Sequence, residues 1–159
     1  MKTFARVLAT WFGCGYFPKG PGTAGSLGAL IVVWPMRHQP SWFFALLALI
    51  LLAPAIWSAS STALQVGKKD PQIVVIDEVI GQWIALAGAA IYSPAAWITA
   101  FLLFRTFDIW KPWPVRQLEK LPSGTGIVMD DVMAGIYAAL VLYLAGWNNS
   151  ISKFLYGIS

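Results

Sequence analysis

Five carboxylates in three short motifs are the residues of this sequence best suited to chemistry. They are Asp77-Glu78, Asp108 and Asp130-Asp131, out of seven acidic residues among 159. Carboxylates that gather where water is scarce repel each other and take up protons unless a cation holds them. An oxygen-rich group of this kind suits Mg²⁺, which binds a few carboxylates and keeps water for a substrate phosphate. The motifs therefore predict a metal site.

Helix capping is the alternative role for these acids. Asp77 and Asp130 could each accept hydrogen bonds from the backbone at a helix start, where the helix dipole also favours negative charge. Capping explains one acid of each pair but leaves Glu78 and Asp131 without a role. It also fails for Asp108, which falls toward a helix C-terminus, where negative charge is unfavourable.

Basic residues lie on both sides of Asp108 at helical spacing. Arg105, Asp108 and Lys111 are three residues apart, so they share one face of a helix. Arginine offers a planar fork that matches phosphate, and lysine offers a point charge. We expect at least one of Arg105, Lys111 and Arg116 to contact phosphate. The alternative is an Arg105–Asp108 ion pair beside lysines that reach toward the membrane surface.

A glycine-rich segment, residues 20–28, opens the first apolar stretch. Its backbone N–H groups, together with the Thr23 and Ser26 hydroxyls, could cradle an anion at a helix start. Alternatively, Gly25 and Gly28 serve only to let a neighbouring helix approach closely. The sequence alone leaves both interpretations open.

Several phosphatase mechanisms are excluded by the residues that are missing. The single histidine, His38, is predicted to lie on the opposite side of the membrane from the acids, and Cys14 lacks the arginine context of a cysteine phosphatase. No Asp-x-Asp-x-Thr stretch is present for an aspartyl-phosphate route. Water activated by a metal ion at the carboxylates is the mechanism that remains.

Composition places these motifs on membrane helices. The chain is 58% hydrophobic and 11% charged, whereas soluble domains carry about 25% charged residues. We predict one all-α domain over residues 1–159, a polytopic bundle of about four to five membrane segments preceded by an interfacial N-terminal segment. Ser93-Pro94 divides the third apolar stretch into a helical hairpin, since that stretch is too long for one span. The apolar stretches are Thr23–Pro35, Trp42–Thr62, Ile73–Phe104 and Gly126–Trp147.

Charge and spacing predict which side the acids face. With the N-terminus inside, nine of the 11 basic residues fall on the cytoplasmic side, as the positive-inside rule requires. Asp77 and Asp131 then lie at similar depth, about 22 and 24 Å from the outer boundary. The two acidic pairs are each followed by a small residue, Gly81 and Ala134, which permits close helix approach. The positive charge forms no stripe that would indicate nucleic-acid binding.

Four motifs, taken together and in order, are similar to those of the phosphatidylglycerophosphatase A family. The block from Arg105 to Pro114, Arg-x-x-Asp-Ile-Trp-Lys-Pro-Trp-Pro, is the most specific of them. The resemblance implies a Mg²⁺-dependent enzyme of the bacterial inner membrane. Such an enzyme removes the terminal phosphate of phosphatidylglycerophosphate and leaves phosphatidylglycerol. The four motifs are Gly22–Ser26, Asp77–Gly81, Phe104–Pro114 and Gly124–Gly135.

The functional hypothesis assigns a role to each of these residues. Mg²⁺ is expected to bind Asp77, Glu78, Asp130 and Asp131. Catalysis is assigned to Asp77, Asp108 and Asp131, with Asp108 as a ligand or general base. Phosphate contact is assigned to Arg105, Lys111, Thr23 and Ser26.

The second hypothesis is a small cation-conducting or carrier protein in which the acids line an ion path. It explains less, because the outer halves of the predicted spans lack ionisable residues apart from Arg37 at the boundary. An oligomer is compatible with the sequence, but no feature of it supports one.

Overall fold

The computed structural model describes residues 1–89, 92–147, 153 and 157, and every regular element with defined bounds in them is helical. This confirms the all-α prediction. Two short 3₁₀ turns, Cys14–Tyr16 and Trp34–Met36, flank the second helix. The α-helices are α1 Lys2–Ala9, α2 Pro21–Val33, α3 Trp42–Val66, α4 Ile76–Ala87, α5 Pro94–Trp110, α6 Val115–Leu118 and α7 Ser123–Trp147.

Local sequence explains where the hairpin between α4 and α5 divides. Helix α4 ends at Ala87, and α5 begins at Pro94, in the first turn, where proline's missing N–H costs nothing. The Ser93 hydroxyl accepts a hydrogen bond from the Ala96 backbone N–H at 3.0 Å and caps the helix. The predicted division at Ser93-Pro94 is therefore confirmed.

Two of the described helices are long and apolar enough to cross a membrane, namely α3 and residues 123–146 of α7. That is fewer than the four to five segments predicted. Helices α4 and α5, with 12 and 17 residues, span about 18 and 26 Å, less than the ~30 Å of bilayer hydrocarbon. Helix α4 is short because the apolar residues before it pack as non-helical chain, with the Val75 N–H donating to the Ala9 carbonyl at 2.8 Å.

Helix α4 lies at the centre of the bundle and packs against α2, α3, α5 and α7. Its closest approach is to α7, where a Cβ added at Gly135 would overlap the Gly81 carbonyl oxygen. A Cβ added at Gly81 would in turn overlap the Phe104 ring. The predicted close approach after the acidic pairs is confirmed, but on α7 the residue at the crossing is Gly135, one position beyond Ala134.

Candidate active site

A polar cavity of about 400 Å³ opens where α4 and α7 begin and α5 ends. The αL conformation of Lys111 ends α5 with a φ of 49° and turns the chain across this opening. Ten of the lining residues are Gly20, Gly22, Asp70, Gln72, Asp77, Glu78, Asp108, Lys111, Asp130 and Asp131. The structure thus brings together all five acids that the sequence singled out.

Three carboxylates form the centre of the cavity. Asp77, Glu78 and Asp131 each offer an oxygen, and these oxygens all lie within 4.8 Å of one another. Asp77 and Glu78 lie in the first turn of α4, and Asp131 faces them from α7. The close crossing at Gly81 and Gly135, one turn further along each helix, is what sets their separation.

Buried oxygens of this group lack partners within the described part of the chain. Asp77 Oδ1, Glu78 Oε2 and Asp131 Oδ2 are buried and accept no hydrogen bond there. Buried carboxylates without partners are costly, and a divalent cation bound to oxygen ligands removes that cost. These three residues therefore fit a hard metal ion such as Mg²⁺.

Asp130 is placed differently from the other predicted ligands. Its Oδ2 lies 2.8 Å from Lys111 Nζ, and its Oδ1 accepts a hydrogen bond from the Asp131 N–H at 3.1 Å. Lys111 Nζ also lies 3.2 Å from a carboxylate oxygen of Glu119. Burial alone would lower the pKa of Lys111, but the hydrogen bond to Asp130 and the contact with Glu119 raise it overall. The lysine is therefore a fixed positive charge at the cavity wall.

Arg105 bridges two acids from outside the cavity lining. Its Nη1 lies 2.8 Å from Asp108 Oδ2 and 3.8 Å from Glu78 Oε1. The Arg105–Asp108 ion pair expected as an alternative is therefore present. The Arg105 Nε is buried and has no hydrogen-bond partner among the described residues. One donor of the guanidinium is thus unsatisfied by the described residues.

Thr23 and Ser26, the hydroxyls expected to contact phosphate, do not line the cavity. Thr23 is exposed on α2. Ser26 is completely buried, and its hydroxyl donates to the Gly22 carbonyl at 3.0 Å. A Cβ added at Gly25 would approach Val75 to 2.8 Å. Gly25 thus serves close packing, while Gly20 and Gly22 of the same segment line the cavity.

Gly22→Ala is expected to weaken the binding of a divalent cation at these carboxylates roughly 10- to 100-fold, the usual effect of disturbing a group that supports a metal ligand. A Cβ at Gly22 would overlap Glu78 Oε1 and lie 3.1 Å from Arg105 Nη1. The Glu78 carboxylate would have to shift, which would disturb its position in the three-carboxylate group. Titration with Mn²⁺ as a spectroscopic probe measures the effect.

Gly28→Ala on the same helix is the matched control, because its Cβ would meet only Cys14 Sγ at 3.0 Å and the Trp11 ring at 3.1 Å. It disturbs packing without approaching an acid. Equal losses in the two variants would show that the Gly22 effect is general destabilisation.

Asp70 and Gln72 are cavity residues that the sequence did not indicate. Asp70 follows Lys68 and Lys69 in the loop after α3, which is typical of a solvated turn. Burial nevertheless raises the pKa of its carboxyl, while the nearby Lys111 ammonium opposes that shift. No local pattern could have found it, because the chain folds back over the cavity through contacts distant in sequence.

Carboxylates able to hold a cation, beside cationic side chains able to hold phosphate, fit the site of a metal-assisted phosphatase. The sequence model of the family described as Phosphatidylglycerophosphatase A matches residues 7–146. The chain is a phosphatase and belongs to the phosphatidylglycerophosphatase A family. The resemblance seen in the motifs is thereby confirmed, and the family favours the phosphatase hypothesis over the cation carrier.

Relatives match along most of their length. One from Escherichia coli K12, Phosphatidylglycerophosphatase A, is 37% identical over 89% of this chain and 83% of its own length. Another of that name from Haemophilus influenzae is 37% identical over 87% of this chain and 86% of its own. A Bacteroides thetaiotaomicron protein, named a putative phosphatidylinositol-3-phosphatase, is 38% identical over 89% of this chain and 92% of its own. No solved structure matches the chain.

Proposed function

We propose that this chain hydrolyses phosphatidylglycerophosphate to phosphatidylglycerol and phosphate, with Mg²⁺ held by Asp77, Glu78 and Asp131. The observation that carries the proposal is the group of three buried carboxylates with unpartnered oxygens, next to Arg105 and Lys111. The substrate is supported by the family and by the two relatives named Phosphatidylglycerophosphatase A.

Each charged side chain has a part in the proposed reaction. The bound cation would polarise a phosphoryl oxygen and activate water. Arg105 and Lys111 hold the other phosphate oxygens and balance the charge that develops in the transition state. Asp108 lines the cavity and accepts the proton of the attacking water. The phosphorus–oxygen bond to glycerol breaks, and the glycerol oxygen takes the proton that Asp108 accepted from the water.

Asp130 was expected to be a fourth ligand, and its contacts suggest a different part. Its carboxylate holds Lys111 at 2.8 Å, so it orients that lysine toward the substrate phosphate. Asp130 then acts through Lys111 rather than on the metal.

We place the chain in the bacterial inner membrane as a multi-pass domain with this cavity facing the cytoplasm. The start of α4, the end of α5 and the start of α7 lie at one end of the bundle, where the acids meet. The distribution of basic residues puts that end inside. With α2, α4 and α5 crossing beside α3 and α7, the number of segments is five. The short helices would require local thinning of the bilayer, which membrane proteins induce at modest cost.

A phosphate-release assay on purified protein with Mg²⁺ tests the substrate. We expect kcat/KM for phosphatidylglycerophosphate to exceed that for phosphatidylinositol 3-phosphate by at least about tenfold, since one or two head-group contacts are worth 1–3 kcal/mol. The reverse order would assign the inositol lipid as substrate and keep the phosphatase class. No release from either lipid would refute the proposed function.

A further inference from the structure

A cavity of about 410 Å³ lies between helix α1 and the turn that follows it, and we call it the Arg6 cavity. It is distinct from the candidate active site, because none of its lining residues in the described part of the chain lines the acidic cavity. Its polar lining consists of Arg6 and the hydroxyl residues Thr3, Thr10 and Tyr16, with no acid among the described residues that line it. The lining is therefore suited to an anion.

Arg6 supplies this cavity with an unsatisfied hydrogen-bond donor. Its Nε is buried and has no hydrogen-bond partner among the described residues, and none of the ion pairs found among them includes Arg6. An arginine side chain has donors only and stays charged, so it needs acceptor oxygens. A buried donor that lacks an acceptor destabilises the protein. A phosphate group would satisfy it, because phosphate oxygens match the planar guanidinium.

The turn after α1 builds an aromatic wall of the Arg6 cavity in an unfavourable backbone conformation. Trp11 and Phe12 have φ of 45° and 55°, in the left-handed region that bulky residues rarely adopt. The buried Trp11 ring meets Trp83 of α4 edge to face, with ring centroids 5.7 Å apart. Phe12 lines the cavity and is 73% exposed. Strained backbone of this kind is concentrated at ligand sites, so the turn is a second indication of a ligand.

The Arg6 cavity lies at the end of the bundle that carries the candidate active site. The Gln65 side chain donates a hydrogen bond to the Lys2 carbonyl at 3.3 Å, and Gln65 is in the last turn of α3. The loop after α3 contains Asp70, which lines the acidic cavity. The proposed topology puts this end of the bundle at the cytoplasmic face.

Aromatic side chains near the Arg6 cavity are exposed at the surface of the bundle. Phe4, Tyr16 and Phe17 are exposed, and Phe4 also packs against Trp57 of α3, with ring centroids 6.2 Å apart. Exposed aromatic residues beside a basic group are typical of the interface between lipid headgroups and hydrocarbon. The phosphates at that depth belong to phospholipid headgroups, and the cytoplasmic leaflet is rich in anionic lipids.

We propose that the Arg6 cavity binds the phosphate of an anionic phospholipid headgroup, as an accessory lipid site separate from the active site. The proposal rests on the proposed placement of the chain in the membrane and does not depend on the proposed reaction. A headgroup with a net negative charge is favoured over a zwitterionic one, because no acid among the described lining residues could pair with an ammonium group. The Thr3 and Tyr16 hydroxyls add further donors for the phosphate oxygens.

A lipid bound at this site would also brace the chain that leads to the metal-binding acids. The Ala9 carbonyl, at the end of α1, accepts a hydrogen bond from the Val75 N–H at 2.8 Å, and Asp77 is two residues further on. A Cβ added at Gly15 would overlap the Ile73 carbonyl oxygen, so the turn after α1 contacts the same segment directly. One layer of chain therefore separates the Arg6 cavity from the acids.

The test measures lipid binding by the purified chain in detergent, with native mass spectrometry. The probe is dioleoylphosphatidylmethanol, an anionic diester that the proposed reaction neither consumes nor forms, and dioleoylphosphatidylcholine is the zwitterionic reference. We expect Arg6→Gln to lower the ratio of the two association constants at least about tenfold, the effect of losing one buried hydrogen bond to a charged group. Lys2→Gln is the matched control, because it removes the same charge from an exposed position on the same helix. Its ratio should stay close to that of the unmodified protein.

Photolabelling of the unmodified protein provides a second measurement that does not depend on a variant folding. An anionic phosphodiester lipid with a diazirine in its headgroup is irradiated with the protein in phosphatidylcholine vesicles. Labels should concentrate on residues 7–19, the tryptic peptide that follows Arg6. Excess phosphatidylmethanol should displace them, whereas inorganic phosphate at the same concentration should not.

Three outcomes would overturn the accessory lipid site. Equal losses in Arg6→Gln and Lys2→Gln would show only a general attraction of basic residues for anionic lipid. Displacement of the label by inorganic phosphate would mean that the cavity takes a free oxyanion rather than a lipid. Labels spread evenly over the peptides of this end of the bundle would show contact with bulk lipid. None of these measurements involves phosphate release, which tests the proposed function separately.

Discussion

Asp131→Asn is expected to lower phosphate release by on the order of 10³-fold, because polarisation of the phosphoryl group by a metal is worth several kcal/mol. Asp131 is the member of the three-carboxylate group that α7 contributes. Asparagine keeps its size and removes the charge that holds the cation. Rates at saturating Mg²⁺, together with binding of Mn²⁺ as a spectroscopic probe, measure the loss.

Asp70→Asn is the control for this experiment. Asp70 also lines the cavity but is not one of the three carboxylates that converge. We expect it to lose less than about tenfold, as for a residue that supports the site without holding the metal. Comparable losses in both variants, or full Mn²⁺ binding by Asp131→Asn, would remove the metal assignment.

Removal of divalent cations is expected to abolish activity, and return of Mg²⁺ is expected to restore it. The same ion should stabilise the fold, because it relieves the repulsion among Asp77, Glu78 and Asp131. Binding at 100 times Kd adds about 2.7 kcal/mol, which for a chain of this size raises Tm by roughly 5–10 °C. Thermal unfolding with EDTA and with Mg²⁺ measures the shift.

Asp77→Asn should lose this Tm shift, whereas Glu119→Gln should keep it. Glu119 is an acid near the same end of the bundle, but it contacts Lys111 and lies outside the three-carboxylate group. A shift that survives in Asp77→Asn would mean that Mg²⁺ acts elsewhere on the protein. Activity that persists after chelation would contradict metal assistance altogether.

Much of the site could be predicted because its parts carry local signals. The pair Asp77-Glu78 opens α4, and the hairpin between α4 and α5 is marked by Ser93 and Pro94, a cap and a helix-starting proline. The close approach of α4 and α7 follows from small residues one turn beyond the acids. The sequence paired Gly81 with Ala134 as the small residues after the acids, whereas the structure places Gly135 against Gly81. A one-residue difference of this kind depends on helix rotation, which packing decides.

The remaining features depend on contacts between residues far apart in sequence. Lys111 reaches Asp130 because it ends α5 in the αL conformation. The Ser26 hydroxyl donates its hydrogen bond to a carbonyl of its own helix. The sequence motif alone cannot show this. Apolar length alone predicted more full-length membrane helices than the two found among the described residues, because part of the stretch before α4 packs as non-helical chain against α1. Hydropathy does not distinguish residues buried in protein from residues facing lipid.

The contact between Gly81 of α4 and Gly135 of α7 also affects which ionic radius the cavity can accommodate. Gly81 and Gly135 bring the two backbones into contact, so no side chain can yield to let the helices separate. The backbones that carry Asp77 and Asp131, one turn away, are therefore held at a fixed separation. Ca²⁺ needs more ligands at longer distances, whereas Mg²⁺ accepts a small, rigid set. Backbone contact between two glycines would thus discriminate between the two cations without touching either.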